Sequence, residues 1–158
     1  MMNKKVKNIN YVNIELESAT GALGRGEVFT NSVITLHRRV QLCLATSGAI
    51  STLAPITHVA FGTGGVDTAG NPIMPNEGQN DVNNRVGIYP VSVSYPLDPA
   101  PRTTAQYIAT IPAPDLVSAQ INEAALIDSE GNAHAIVAFY SKGKDPGVSM
   151  RFSFNDIF

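Results

Sequence analysis

Charge is scarce in this chain of 158 residues: Asp, Glu, Lys and Arg make up 15%, against 44% hydrophobic residues. So few charges on a β-rich chain imply that neighbouring subunits cover part of its surface. The formal net charge is −2, which excludes the basic footprint of a nucleic-acid binder. Cys43 is the single cysteine, so there is no intrachain disulfide framework and no cysteine-based metal cluster. No apolar run reaches the ~18 residues of a membrane-spanning helix. Lys4, Lys5 and Lys7 open the chain without an apolar segment behind them, so no secretory signal is expected and folding in a cytoplasm is. Internal repeats and low-complexity segments are also missing. The length suits one ordinary domain.

What is there is mostly strand. Ile9, Tyr11, Val12, Ile14 and Leu16 change parity once, which suits a bulged strand or an extended arm. Residues 1–28 are therefore expected to be an N-terminal arm or edge strand, and residues 29–158 the main domain. Between residues 30 and 46 lies the one convincing helical pattern. Thr30, Asn31 or Ser32 can cap it, and Val33, Leu36, Val40, Cys43 and Leu44 form one apolar face. Cys43 reads there as a small core residue, and Gly48 as the stop.

Residues 56–65, Ile-Thr-His-Val-Ala-Phe-Gly-Thr-Gly-Gly, open as a buried strand and end in glycines. Gly62 and Gly64 let the chain turn sharply into a long loop over residues 62–84. Gly65, Asp67, Asn71, Pro72, Pro75 and Asn76 are its turn-forming residues, and the loop holds no His, Cys, Ser or Lys. It reads as an interaction loop. Residues 86–95 and 103–111 alternate apolar and polar, and a proline turn between them predicts an antiparallel pair. Residues 119–127, a turn at 128–132 and residues 134–140 predict a hairpin. Met150, Phe152 and Phe154 share a face of the last strand, which places Phe158 in the core. The fold expected is mainly β (α+β): one early helix on an antiparallel sheet or small sandwich.

Chemistry is thin. His37, His58 and His134 have no metal-ligand spacing in sequence; folding could converge them on a metal, but the expected reading is hydrogen-bonded or half-exposed imidazoles. The glycines after Phe61 lack the Gly-Lys-Ser/Thr ending of a P-loop, and Asp67 stands where a dinucleotide fingerprint needs glycine. Asp128 and Glu130 fall in a turn, where acids are solvated or bonded to backbone. Glu123 lies within a mostly apolar strand, and a buried carboxylate needs a partner. Arg85 and Arg102 are candidates, and an ion pair of Glu123 with Arg85 is expected. No catalytic, cofactor-binding or metal residue is assigned.

Taken in order, several motifs resemble the N-terminal domain of phage tail-collar fibre proteins and related small baseplate or fibre-adaptor proteins. They are Ile56-Thr57-His58-Val59-Ala60-Phe61-Gly62-Thr63-Gly64-Gly65, then Asn80-Asp81-Val82-Asn83-Asn84-Arg85, then Ile121-Asn122-Glu123-Ala124-Ala125-Leu126-Ile127-Asp128-Ser129-Glu130-Gly131. Ala125 and Ile127 depart from the family's glycine and phenylalanine, and no fibre shaft is expected after Phe158. The resemblance implies a non-enzymatic structural role without cofactors, in the virion tail, assembled in the host cytoplasm. Its implied partners are other tail or baseplate proteins and a tail fibre, with symmetric copies such as trimers. A receptor- or carbohydrate-binding tail protein, or a virion protein at the tail terminator or on the head, is the alternative.

Overall fold

Met150, Phe152 and Phe154 alternate with Arg151, Ser153 and Asn155, and a period of two repeated along most strands gives each an apolar face. The computed structural model describes residues 12–18, 32–96 and 102–158, the first of these through backbone pairing alone. Two antiparallel sheets result. One has the order β1 (Val12–Ser18), β9 (Met150–Ile157), β6 (Thr104–Ile111), β5 (Ser92–Ser94). The other runs β2 (Ser32–Ile34), β8 (Ala133–Gly143), β7 (Gln120–Asp128), β3 (Ile56–Gly62), β4 (Arg85–Pro90). The protein is mainly β, as expected, with α1 (Leu36–Thr46) as the described helix.

The main core lies between the sheets. Phe61, Leu126, Val137 and Phe139 of the five-stranded sheet meet Ile111, Phe152 and Phe154 of the other. Rings of Phe61 and Phe152 sit 4.7 Å apart between centroids. A second, smaller core covers the outer face of the five-stranded sheet, where Ala60, Ala125, Ile127 and Ile136 pack with Val82. β7 is therefore buried on both faces, which explains its nearly continuous apolar sequence. The β7–β8 register shifts between Ile121 and Glu123. This bulge switches the parity, leaving Ile121 in the main core while Glu123 shares the outer face with Ala125 and Ile127.

Four expectations need correction. Residues 86–95 do not form one strand paired across the proline turn. Residues 85–90 join β3, and only Ser92–Ser94 pair with β6. The chain changes sheets at Pro90, which cannot donate to a ladder, and at Val91, whose N–H goes to the Thr57 carbonyl. The helix starts later than predicted: Ser32 belongs to β2, and Thr35 is the cap, its Oγ1 accepting from Arg38 N–H at 3.2 Å. Thr30 and Asn31, the other proposed caps, lie outside the described residues, as do residues 1–11 and 19–28 of the N-terminal arm. Residues 12–18 pair with β9 as the edge of their sheet.

The third correction concerns which side of the helix faces inward. Leu36 is 47% and Val40 44% exposed, and Cys43 is exposed too, whereas Arg38 is 2% exposed. A buried guanidinium needs an anion, and Asp156 of β9 supplies it. α1 thus buries Arg38 and turns Leu36, Val40 and Cys43 outward. Gly48 does end it, at φ +81° just past the cap Ser47. The fourth correction is Phe158, which is half exposed instead of in the core: its N–H reaches the Thr103 carbonyl, and its ring lies at the surface, 4.8 Å from the Arg38 guanidinium. Among the described residues no helix is long and apolar enough to cross a membrane.

Candidate functional site

The loop over residues 63–84 is built around Glu123. That carboxylate is 2% exposed. Its Oε1 accepts N–H groups from Gly64 at 2.9 Å and Asn84 at 2.8 Å, and its Oε2 accepts from Asn83 at 2.9 Å. Asn122 adds a fourth tie, its Oδ1 accepting from Gly65 N–H at 2.7 Å. Both ends of the loop are therefore stapled to one strand. A Cβ on Gly62 would collide with the Glu123 carboxylate and the Asn84 carbonyl, and one on Gly65 with the Asn122 carbonyl. The glycines permit close approach of backbone to a buried acid, beyond the sharp turn alone.

Glu123 is buried and paired, but not with Arg85. Arg85 reaches Asp81 at 2.7 Å on the surface instead. Arg102 lies over the Tyr95 ring, 4.8 Å from its centroid. Backbone amides satisfy Glu123 because the loop ends converge on it with their N–H groups, and charge-assisted bonds of this kind are strong.

Within the loop, Asp67 Oδ1 accepts from Ala69 and Asn71 N–H, each at 2.9 Å, and Val66 pairs with Pro72. Asn76 Oδ1 accepts from Gly78 N–H at 2.8 Å, just beyond Pro75. The Glu77 carbonyl then accepts the Leu36 N–H at 2.7 Å, joining loop to helix start. Ile73 and Met74 project from this bonded frame, 47% and 60% exposed.

A second cluster gathers two of the three histidines on Asp128. His37, on the first turn of α1, and His134, on β8, both aim Nε2 at Oδ2 of Asp128, at 3.3 and 2.9 Å. Asp128 Oδ1 accepts Glu130 and Asn132 N–H at 2.9 Å each, the backbone bonding expected of a turn acid. The acid is nevertheless buried and shared by two imidazoles. Burial alone would raise the Asp128 pKa, but bonds from Asn132, His134 and Glu130, with the His134 charge, hold it below the usual range. His134 is pushed down by burial, which outweighs Asp128; Arg38 and His37 add to the lowering. His58 stands apart, its Nδ1 2.9 Å from Thr57 Oγ1. Sequence carries part of this signal: a hairpin brings Asp128 and His134, six residues apart, to one end. His37 comes from 91 residues away, and only the helix placement reveals it.

Beside the cluster a cavity of about 150 Å³ is lined by His134, Arg38, Asp156, Tyr107, Leu53 and Ile56 among others. The Arg38 guanidinium donates from Nη1 to Asp156 Oδ1 at 2.9 Å. Burial, then the Asp156 charge, raises the Tyr107 pKa to about 12, while Arg38 partly opposes this. No protein-family model, curated protein or solved structure matches this chain.

Proposed function

We propose that this protein is a non-enzymatic structural component of a phage or phage-like tail, acting in the baseplate or as an adaptor that attaches tail fibres. The observation that carries the reading is the stapled loop. Its base is clamped by Glu123 and Asn122, and it holds Ile73 and Met74 out in solvent. Adjacent apolar side chains on a pre-ordered loop suit a partner protein, because little conformational entropy is left to lose on docking. The order of motifs that resembles tail-collar fibre domains supports the same class. On this reading the partners are other tail proteins, the chain forms symmetric copies, and the product is the virion tail assembled in the host cytoplasm.

The test is immunogold electron microscopy of particles from a producing host, with an antibody to this chain. Gold at the distal tail is expected. Gold on heads or necks keeps a structural role but rejects the placement. Unlabelled particles with an accessible epitope overturn the reading. The double variant Ile73→Asp, Met74→Asp should melt as the parent does, yet leave the particles unlabelled.

A further inference from the structure

The His37–Asp128–His134 cluster has no part in that assembly reading, and its chemistry is more specific than a buried hydrogen-bond network requires. We propose that it is a binding site for a divalent first-row transition metal such as zinc, with His37 Nε2, His134 Nε2 and Asp128 Oδ2 as ligands. The site would clamp the first turn of α1 to the β7–β8 hairpin.

Geometry carries the proposal. The three donor atoms lie within 4.8 Å of one another. Around a tetrahedral zinc with bonds of 2.0–2.2 Å, neighbouring ligand atoms stand about 3.4 Å apart. The two measured edges, 3.3 and 2.9 Å, are close to that. The imidazole rings meet edge to face, 70° apart with centroids at 5.4 Å, so they approach Asp128 from different directions instead of stacking.

The ligands are also held as metal ligands usually are. Asp128 Oδ1 is engaged by two backbone N–H groups of its own turn, which orients the carboxylate and leaves Oδ2 for monodentate binding. His134 is fixed within a central strand. His37 belongs to the first turn of a capped helix whose Thr35 Oγ1 donates to the Ala133 carbonyl at 2.6 Å, next to His134. Two imidazoles and one carboxylate suit zinc, nickel or cobalt, and leave one tetrahedral position for water. The side chain of His37 is 25% exposed, giving ions a way in, while that of Asp128 is 1% exposed. Arg38 is the nearby cation, and Asp156 pairs with it at 2.8 Å.

Untagged protein stripped with EDTA and titrated with zinc sulfate in a calorimeter tests the site. One equivalent per chain is expected for the parent and for His58→Ala, which removes a histidine outside the cluster. His37→Ala and Asp128→Asn should each weaken binding at least about tenfold. Asn at 128 keeps an oxygen for the two turn amides, and Ala at 37 removes a partly exposed ring, so both variants should fold. Zinc at a hundred times the parent's Kd should raise the parent's melting temperature by roughly 5–10 °C and that of His37→Ala by no more than about half as much. Cobalt in place of zinc should give the visible bands of a four-coordinate ion in the parent alone among these three cluster proteins. Absence of a saturable equivalent in the parent, or His37→Ala binding as tightly as the parent, overturns the proposal.

Discussion

β7 carries two buried carboxylates, Glu123 near its middle and Asp128 at its last position, and they are satisfied in opposite ways. Glu123 rests on three backbone N–H groups from the loop it staples. Asp128 takes two backbone N–H groups on one oxygen and two imidazoles on the other. Main-chain amides neither titrate nor leave, so the first arrangement is a permanent fastening. Imidazoles can lose or gain a proton, or turn a lone pair toward a metal, so the second remains chemically open. One strand thus anchors a display loop near its middle and presents a ligand set at its last residue.

The same chemical change at both acids should expose this difference most clearly. Glu123→Gln replaces one acceptor oxygen by an NH₂ group facing backbone donors and should cost about 3 kcal/mol, because a buried donor is left without an acceptor. Asp128→Asn can keep its oxygen on the turn amides and should cost about 1 kcal/mol in metal-free protein. Urea unfolding of both variants measures the gap. Equal costs would mean that the loop amides do not depend on Glu123 in the way described.

Why Glu123 was legible as buried, but not its partner, follows from what a sequence can carry. An acid inside Ile121–Ile127 stands out against apolar neighbours. Backbone amides have no side-chain signature, so a cation, Arg85, looks like the partner instead. Gly62, Gly64 and Gly65 were the available trace, visible as a turn but equally a mark of close approach. The helix teaches a related lesson. The spacing of Leu36, Val40, Cys43 and Leu44 identifies a helix correctly, yet spacing does not say which stripe faces inward. Arg38 decides that through Asp156, 118 residues away. The hairpin at 128–132 and the alternation of Met150, Phe152 and Phe154 were legible because turn chemistry and strand period act locally. The change of sheet at Pro90–Val91 was not, since both flanking segments alternate equally well.

A third acid sharpens the comparison from the alkaline side. Asp115 accepts the Tyr89 hydroxyl at 3.1 Å. Burial, then this hydrogen bond and the Asp115 charge, raises the Tyr89 pKa to about 12 from 10.0. A phenol whose folded pKa is raised contributes stability that is fully present below pH 10 and is lost as pH climbs through 12. Thermal melts at pH 9, 10 and 11, with phenolate absorbance followed in parallel, should show stability falling over that window. Tyr89→Phe should flatten part of the fall, with Tyr107, raised likewise to about 12, supplying the remainder. An unchanged profile in Tyr89→Phe would remove the Asp115 contact from the account.

The smallest expected effect discriminates most sharply between the ion pair read from sequence and the arrangement in the structure. Arg85 and Asp81 are each more than a third exposed and meet at 2.7 Å, a surface pair of the kind worth about 0–1 kcal/mol. Arg85→Ala should therefore change stability by less than about 1 kcal/mol and leave the cost of Glu123→Gln undiminished. If Arg85 were instead the counter-ion of Glu123, its removal would strand a buried carboxylate and cost about 3–5 kcal/mol, and the double variant would cost less than the sum of the singles. A double-mutant cycle with coupling near zero is the outcome that the three amide bonds require.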